Sequence, residues 1–179
     1  MLGADHPSAL QTQFHLGCTY LDAGKPDVAL PIVKDTLVKI RKVFPAESPQ
    51  LAGILAKWSS SLLGARAYLE AEPLLRECLT IREKTQPDVW STFNTHSMLG
   101  VALLGQKKYA DAEPLLLKGY EGMKARETTI PPQGRDRLPE ALDRLIELYT
   151  ATNKPDDAKK WRAERAKYPD VAPMPRVVK

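Results

Sequence analysis

The strongest constraint on this chain is a unit that recurs four times at nearly constant length. An apolar residue is followed 13 positions later by alanine at Leu16/Ala29, Trp58/Ala71, Leu99/Ala112 and Leu145/Ala158, in steps of 42, 41 and 46 residues. The first three alanines each open an Ala-x-Pro, at Pro31, Pro73 and Pro114, and Glu-Pro-Leu-Leu stands in both the second and third units. A chain with such a period builds one small unit repeatedly. No unit can bury its apolar face alone, so neighbours must stack to make a continuous core.

Each unit reads as two amphipathic helices. In the first, Leu10, Phe14, Leu16, Cys18 (or Gly17), Tyr20 and Leu21 recur at helical spacing; Val28, Ala29, Ile32, Val33, Leu37 and Ile40 do so next. Between them Asp22-Ala23-Gly24-Lys25-Pro26 is a turn, with a glycine to close one helix and a proline that cannot continue it. Its expected counterparts are Leu63-Gly64-Ala65-Arg66, Leu104-Gly105-Gln106-Lys107 and Ala151-Thr152-Asn153-Lys154-Pro155. The repeated prolines are expected near the start of the second helix, where a missing N–H costs little. Gly17 or Ser59, with the four alanines, mark close helix crossings.

Leu16-Gly17-x-x-Tyr20 with alanine 12 residues after the glycine resembles the tetratricopeptide repeat. The 41–42-residue step is longer than the common period of about 34 and is similar to the kinesin-light-chain variant. Ile81 to Lys84 and Leu2 to Pro7 resemble that variant's helix end and linker. The resemblance implies an all-α, right-handed solenoid of about four helical hairpins. The expected organisation is a linker at 1–6 from a preceding repeat, repeats at about 7–45, 46–86, 87–127 and 138–168, an extra loop at 128–137, and an extended tail at 169–179. A narrower stretch, Tyr109 to Leu116 with Gly119-Tyr120-Glu121-Gly122 and Ile130-Pro131-Pro132, is similar to the C-terminal repeat region of bacterial serine/threonine kinases. No kinase catalytic motif accompanies it. The expectation is a cytoplasmic, non-catalytic interaction or scaffolding tail of a larger bacterial signalling protein. Alternatives are a nucleic-acid-binding helical array or an autoregulatory segment of an attached kinase.

The family resemblance implies that the first helices line a peptide groove. Its candidate residues are Gln11, Phe14, Cys18 and Asp22, then Gly53, Ala56, Ser60 and Leu63, then Asn94, Ser97, Val101 and Leu104. The Lys/Asn clamp of chaperone-adaptor members is missing, since Phe14/Cys18, Ala56/Ser60 and Ser97/Val101 occupy those positions. An apolar or helical protein segment is the expected ligand, and the uncapped N-terminal end is a candidate for self-association.

Other chemistry finds no support. His6, His15 and His96 lie in no metal-ligand spacing, and Cys18 and Cys78 read as core residues. No phosphate loop, dinucleotide fingerprint or nucleophile elbow occurs, so neither enzyme activity nor a cofactor is expected. Trp58, Trp90 and Trp161 are read as packing. No apolar run approaches the roughly 18 residues that span a bilayer. The +4 charge invites a nucleic-acid reading, but residues 1–153 hold 18 basic and 18 acidic side chains. The excess, eight basic against four acidic, lies in residues 154–179, where it reads as a charged cap; nucleic acid is disfavoured as a partner.

Overall fold

A computed structural model describes residues 7–168; the linker at 1–6 and the tail at 169–179 lie outside the described residues. Eight α-helices follow one another there: α1 (Pro7–Asp22), α2 (Pro26–Val43), α3 (Pro49–Gly64), α4 (Tyr68–Thr85), α5 (Trp90–Gly105), α6 (Tyr109–Lys124), α7 (Arg137–Ala151) and α8 (Pro155–Arg165). They pair as four hairpins, and successive first helices touch, α1 with α3, α3 with α5 and α5 with α7. One apolar core runs through the stack from Leu10 to Trp161. Among the described residues there is no strand.

The repeated alanine has one structural place. Ala29, Ala71, Ala112 and Ala158 are each the fourth residue of their helix, and their N–H groups donate to the carbonyl of the residue just before that helix, Lys25, Ala67, Lys108 and Lys154. All four are buried, so a larger side chain there would have to displace its neighbours. Glycines bring α5 and α6 closest. A Cβ on Gly119 would stand 2.6 Å from the Ser97 amide nitrogen, one on Gly100 2.6 Å from Leu116 Cγ, and one on Gly122 inside the Phe93 ring.

The prolines lie deeper than expected. Pro31, Pro73 and Pro114 are the sixth residue of α2, α4 and α6, beyond the four amides that have no partner within the helix. Each helix therefore forgoes one internal bond, with the ring turned to solvent where it meets no neighbouring helix.

The turn also differs from expectation. All four hairpins close with the same pair of backbone bonds, as in Gly24 N–H to Leu21 O and Lys25 N–H to Tyr20 O. The left-handed residue is Gly24 in the first turn but Arg66, Lys107 and Asn153 in the others. Gly64 and Gly105 instead end α3 and α5. The motif needs its left-handed residue two positions after them, so glycine spacing alone misplaced it.

Two expected core positions are open. Leu16 is 45 % exposed and Val28 47 %, whereas Gly17 is buried and Cys18 half-buried. Trp58, Leu99 and Leu145, which match Leu16 in the later hairpins, are all buried. Each of these has a preceding hairpin over it; Leu16 has none among the described residues. The stretch after α6 is folded back on the array. It makes short 3-10 turns at Glu127–Thr129 and Pro132–Gly134, and Ile130 is buried. Gly134 packs so closely on Trp90 that a Cβ there would stand 2.9 Å from the ring. Trp161 closes the other end edge-on to Tyr120, with ring centroids 5.3 Å apart.

Candidate functional site

The first helices place the candidate groove residues unequally. Gln11, Asp22, Gly53 and Ser60 are exposed; Cys18, Ala56, Leu63, Asn94 and Val101 are half-buried; Phe14, Ser97 and Leu104 are buried. Ser97 accepts a hydrogen bond from Arg144 Nη1 at 2.9 Å and backs onto Gly119, so it offers no free surface. Asp22 ends α1, and the repeat period matches Leu63 and Leu104 with buried Leu21 rather than with Asp22.

Three of the candidates do converge. Gln11, Phe14 and Gly53 line a cavity of ≈ 530 Å³ between α1, the end of α2 and the start of α3. Sequence reasoning missed its other walls, Ile40 and Phe44 from the end of α2 and Ile54 and Lys57 from α3. The first-helix pattern could supply only one side, because the rest comes from a helix end and from the next hairpin. Phe14 is held edge-on against Trp58 with centroids 4.6 Å apart, and Lys57 Nζ lies 5.0 Å from its ring centre. The cavity is therefore an apolar slot with one cation and the exposed His15 at its rim. Burial raises the pKa of the neighbouring Cys18 thiol, which opposes a reactive thiolate.

Polar joints hold the hairpins in register. Burial works against the Glu72 carboxylate, but bonds from Gln106, Arg76 and Lys108 outweigh it and bring its pKa down to about 2. Glu113 repeats the device one hairpin on, accepting from Tyr149 at 2.9 Å and pairing with Lys154 at 3.3 Å. Between α4 and α5, Arg82 Nη1 donates to Ser91 O and Thr95 Oγ1, both at 2.6 Å. His96 sits beside this joint, buried, with Nε2 3.4 Å from Glu83 and Nδ1 without a partner. Burial and the nearby Lys118 charge lower its pKa to about 4 despite Glu83. At the far end, Arg137 and Arg144 both pair with Glu140, and Arg165 pairs with Asp143. Among the described residues no group of three or more His, Cys, Asp or Glu side chains could hold a metal ion, and no helix is long and apolar enough to cross a membrane.

No protein-family model matches the chain, and no curated protein is similar to it. Solved structures do resemble it. One is the crystal structure of a single-substitution variant of a Podosopora anserina putative kinesin light chain with nearly identical TPR-like repeats. It shares 18% identity at a TM-score of 0.74, over 93% of this chain and 77% of that one. Another crystal structure of that putative kinesin light chain shares 20% identity at a TM-score of 0.70, over 92% and 78%. With four hairpins each closed by the same turn, this chain thus has the fold of a tetratricopeptide-like helical array. Its resemblance to a bacterial kinase tail finds no counterpart in these structures.

Proposed function

We propose that the chain is a protein–protein interaction module that takes an apolar or helical segment of its partner along the face of its first helices, as a non-catalytic part of a larger bacterial signalling protein. One observation carries the binding reading: the open apolar slot around Phe14 is built jointly by two hairpins, so it exists only in the stacked array. Helical-repeat arrays use such composite surfaces to hold extended or helical peptides. The neutral balance of residues 1–153 supports a protein ligand over a phosphate backbone. The signalling context rests on the sequence between Tyr109 and Pro132, and a cytoplasmic setting goes with it.

Gly53 provides the test. It lies on the slot's edge with nothing within 4 Å of an added Cβ, so a side chain can start there without a backbone clash, and Gly53→Trp is expected to fill the mouth. Peptides selected from a displayed random library against the wild-type chain should bind Gly53→Trp at least about tenfold more weakly. Phe14→Ala should also weaken them while the helical circular dichroism signal persists. Selected peptides indifferent to both changes would place binding elsewhere.

A further inference from the structure

The face of the first helices does not stay open along the whole stack. The repeat sets Gln11, Gly53 and Asn94 at one position of α1, α3 and α5, and Ala56 and Ser97 at another. Gln11 and Gly53 are exposed, but Asn94 is half-buried and lays its amide against Met98 Sδ at 3.6 Å. Ala56 is half-buried, whereas Ser97 is fully buried. Ten of the sixteen residues of α5 are buried against six of sixteen in α3, so the groove closes between these two helices.

At Ser97 the cover comes from the next hairpin. Arg144 of α7 stands at the position of Lys57 in α3, and Ser97 at that of Phe14. Each pair therefore joins a first helix to the one before it, with opposite results. Lys57 is exposed and holds its ammonium 5.0 Å from the Phe14 ring centre, at the rim of the slot. Arg144 is only 17 % exposed and reaches down. Its Nη1 donates to Ser97 Oγ at 2.9 Å and its Nη2 to Glu140 Oε2 at 3.2 Å. Arg137 Nη1 pairs with the same carboxylate oxygen at 2.8 Å and steadies it. A planar guanidinium held at two points has little freedom to swing aside. Displacing it would also strip the buried Ser97 hydroxyl of that bond.

Building on the binding reading above, we infer that Arg144 is a specificity-determining stop, which closes the groove at α5 and limits the bound segment to a short stretch across α1 and α3. Two helices packed about 8–10 Å apart present a face about 20 Å wide. An extended segment crosses that width in about six residues.

The test uses peptides of about twelve residues, twice the length needed, selected from a displayed random library on the wild-type chain and separately on Arg144→Ala. On the wild type their shared pattern should span about six positions, and trimming a peptide to it should change Kd less than about twofold. Bound peptide should slow amide hydrogen exchange in α1 and α3 but not in α5 or α7. On Arg144→Ala the pattern should lengthen, and the longer peptides should bind the variant at least about fivefold more tightly than the wild type. Ser97→Ala removes the acceptor and keeps every charge; it should shift the pattern the same way, and it decides if Arg144→Ala fails to fold. A short pattern unchanged in both variants overturns the stop and leaves the slot intact. So do wild-type peptides that need all their residues and protect α5. Failure to select any peptide that Gly53→Trp weakens removes the binding reading itself, and the stop with it.

Discussion

Gly17 and Trp58 show how a single atom decides a crossing. A Cβ on Gly17 would overlap the Trp58 ring, which is buried with its indole N–H lacking a partner. Trp58 stands where the third and fourth hairpins use leucine, and only the larger ring forces the glycine. Gly17→Ala should therefore cost about 1–3 kcal/mol by overpacking. Adding Trp58→Leu should remove most of that penalty, and a urea-denaturation double-mutant cycle would measure the coupling. His96 is the other decisive side chain. Its pKa falls from 6.5 to about 4 on folding, so between those values the unfolded chain binds the extra proton. The stability it contributes is complete above pH 6.5 and is lost as pH falls toward 4, by roughly 1–3 kcal/mol after allowance for partial solvent screening. His96→Gln should flatten the urea midpoint against pH across that window, whereas the lower window set by Glu72, from its ordinary 4.5 toward 2, should remain.

At the scale of the element, the four turns carry a shared geometry on different residues. Arg66 and Lys107 adopt φ of 58° and 61°, a region that costs a side chain more than glycine. Arg66→Gly and Lys107→Gly should each raise stability by up to about 1 kcal/mol, read as a higher melting temperature. Gly24→Ala in the same place should lower it. Helix pairing, the turns and the alanine crossings were legible in the sequence because each follows from spacing along one chain segment. The left-handed residue was not, since three of four turns put an ordinary side chain there. Of the groove residues that the family resemblance implied, Gln11, Phe14 and Gly53 share one cavity. Ile40, Phe44 and Lys57 enter only when hairpins stack, and Ser97 is lost to a bond from Arg144, 47 residues away.

Across the whole molecule, stability should be graded rather than uniform, because each hairpin contacts only its neighbours. The centre holds the closest helix crossing, where Gly119 and Gly122 meet Ser97 and Phe93, together with the Arg82 and Glu72 joints. Amide hydrogen exchange should be slowest in α5 and α6 and fastest in α1 and α8, with intermediate protection in α3 and α4. Uniform protection would mean that the array opens only as a unit.

The identical bonding of the four turns has a consequence for how the array's shape can vary. A hairpin whose bend is set by the same two backbone bonds and one alanine contact behaves as a stiff vertebra. Curvature then belongs to the discs between vertebrae, and these differ: Leu30 occupies the place of Glu72 and Glu113, and the last disc carries the inserted loop under Trp90. Substitutions in a turn should change how firmly the spine holds together. Those at a disc should change how one hairpin is angled against the next, and with it the curvature of the array.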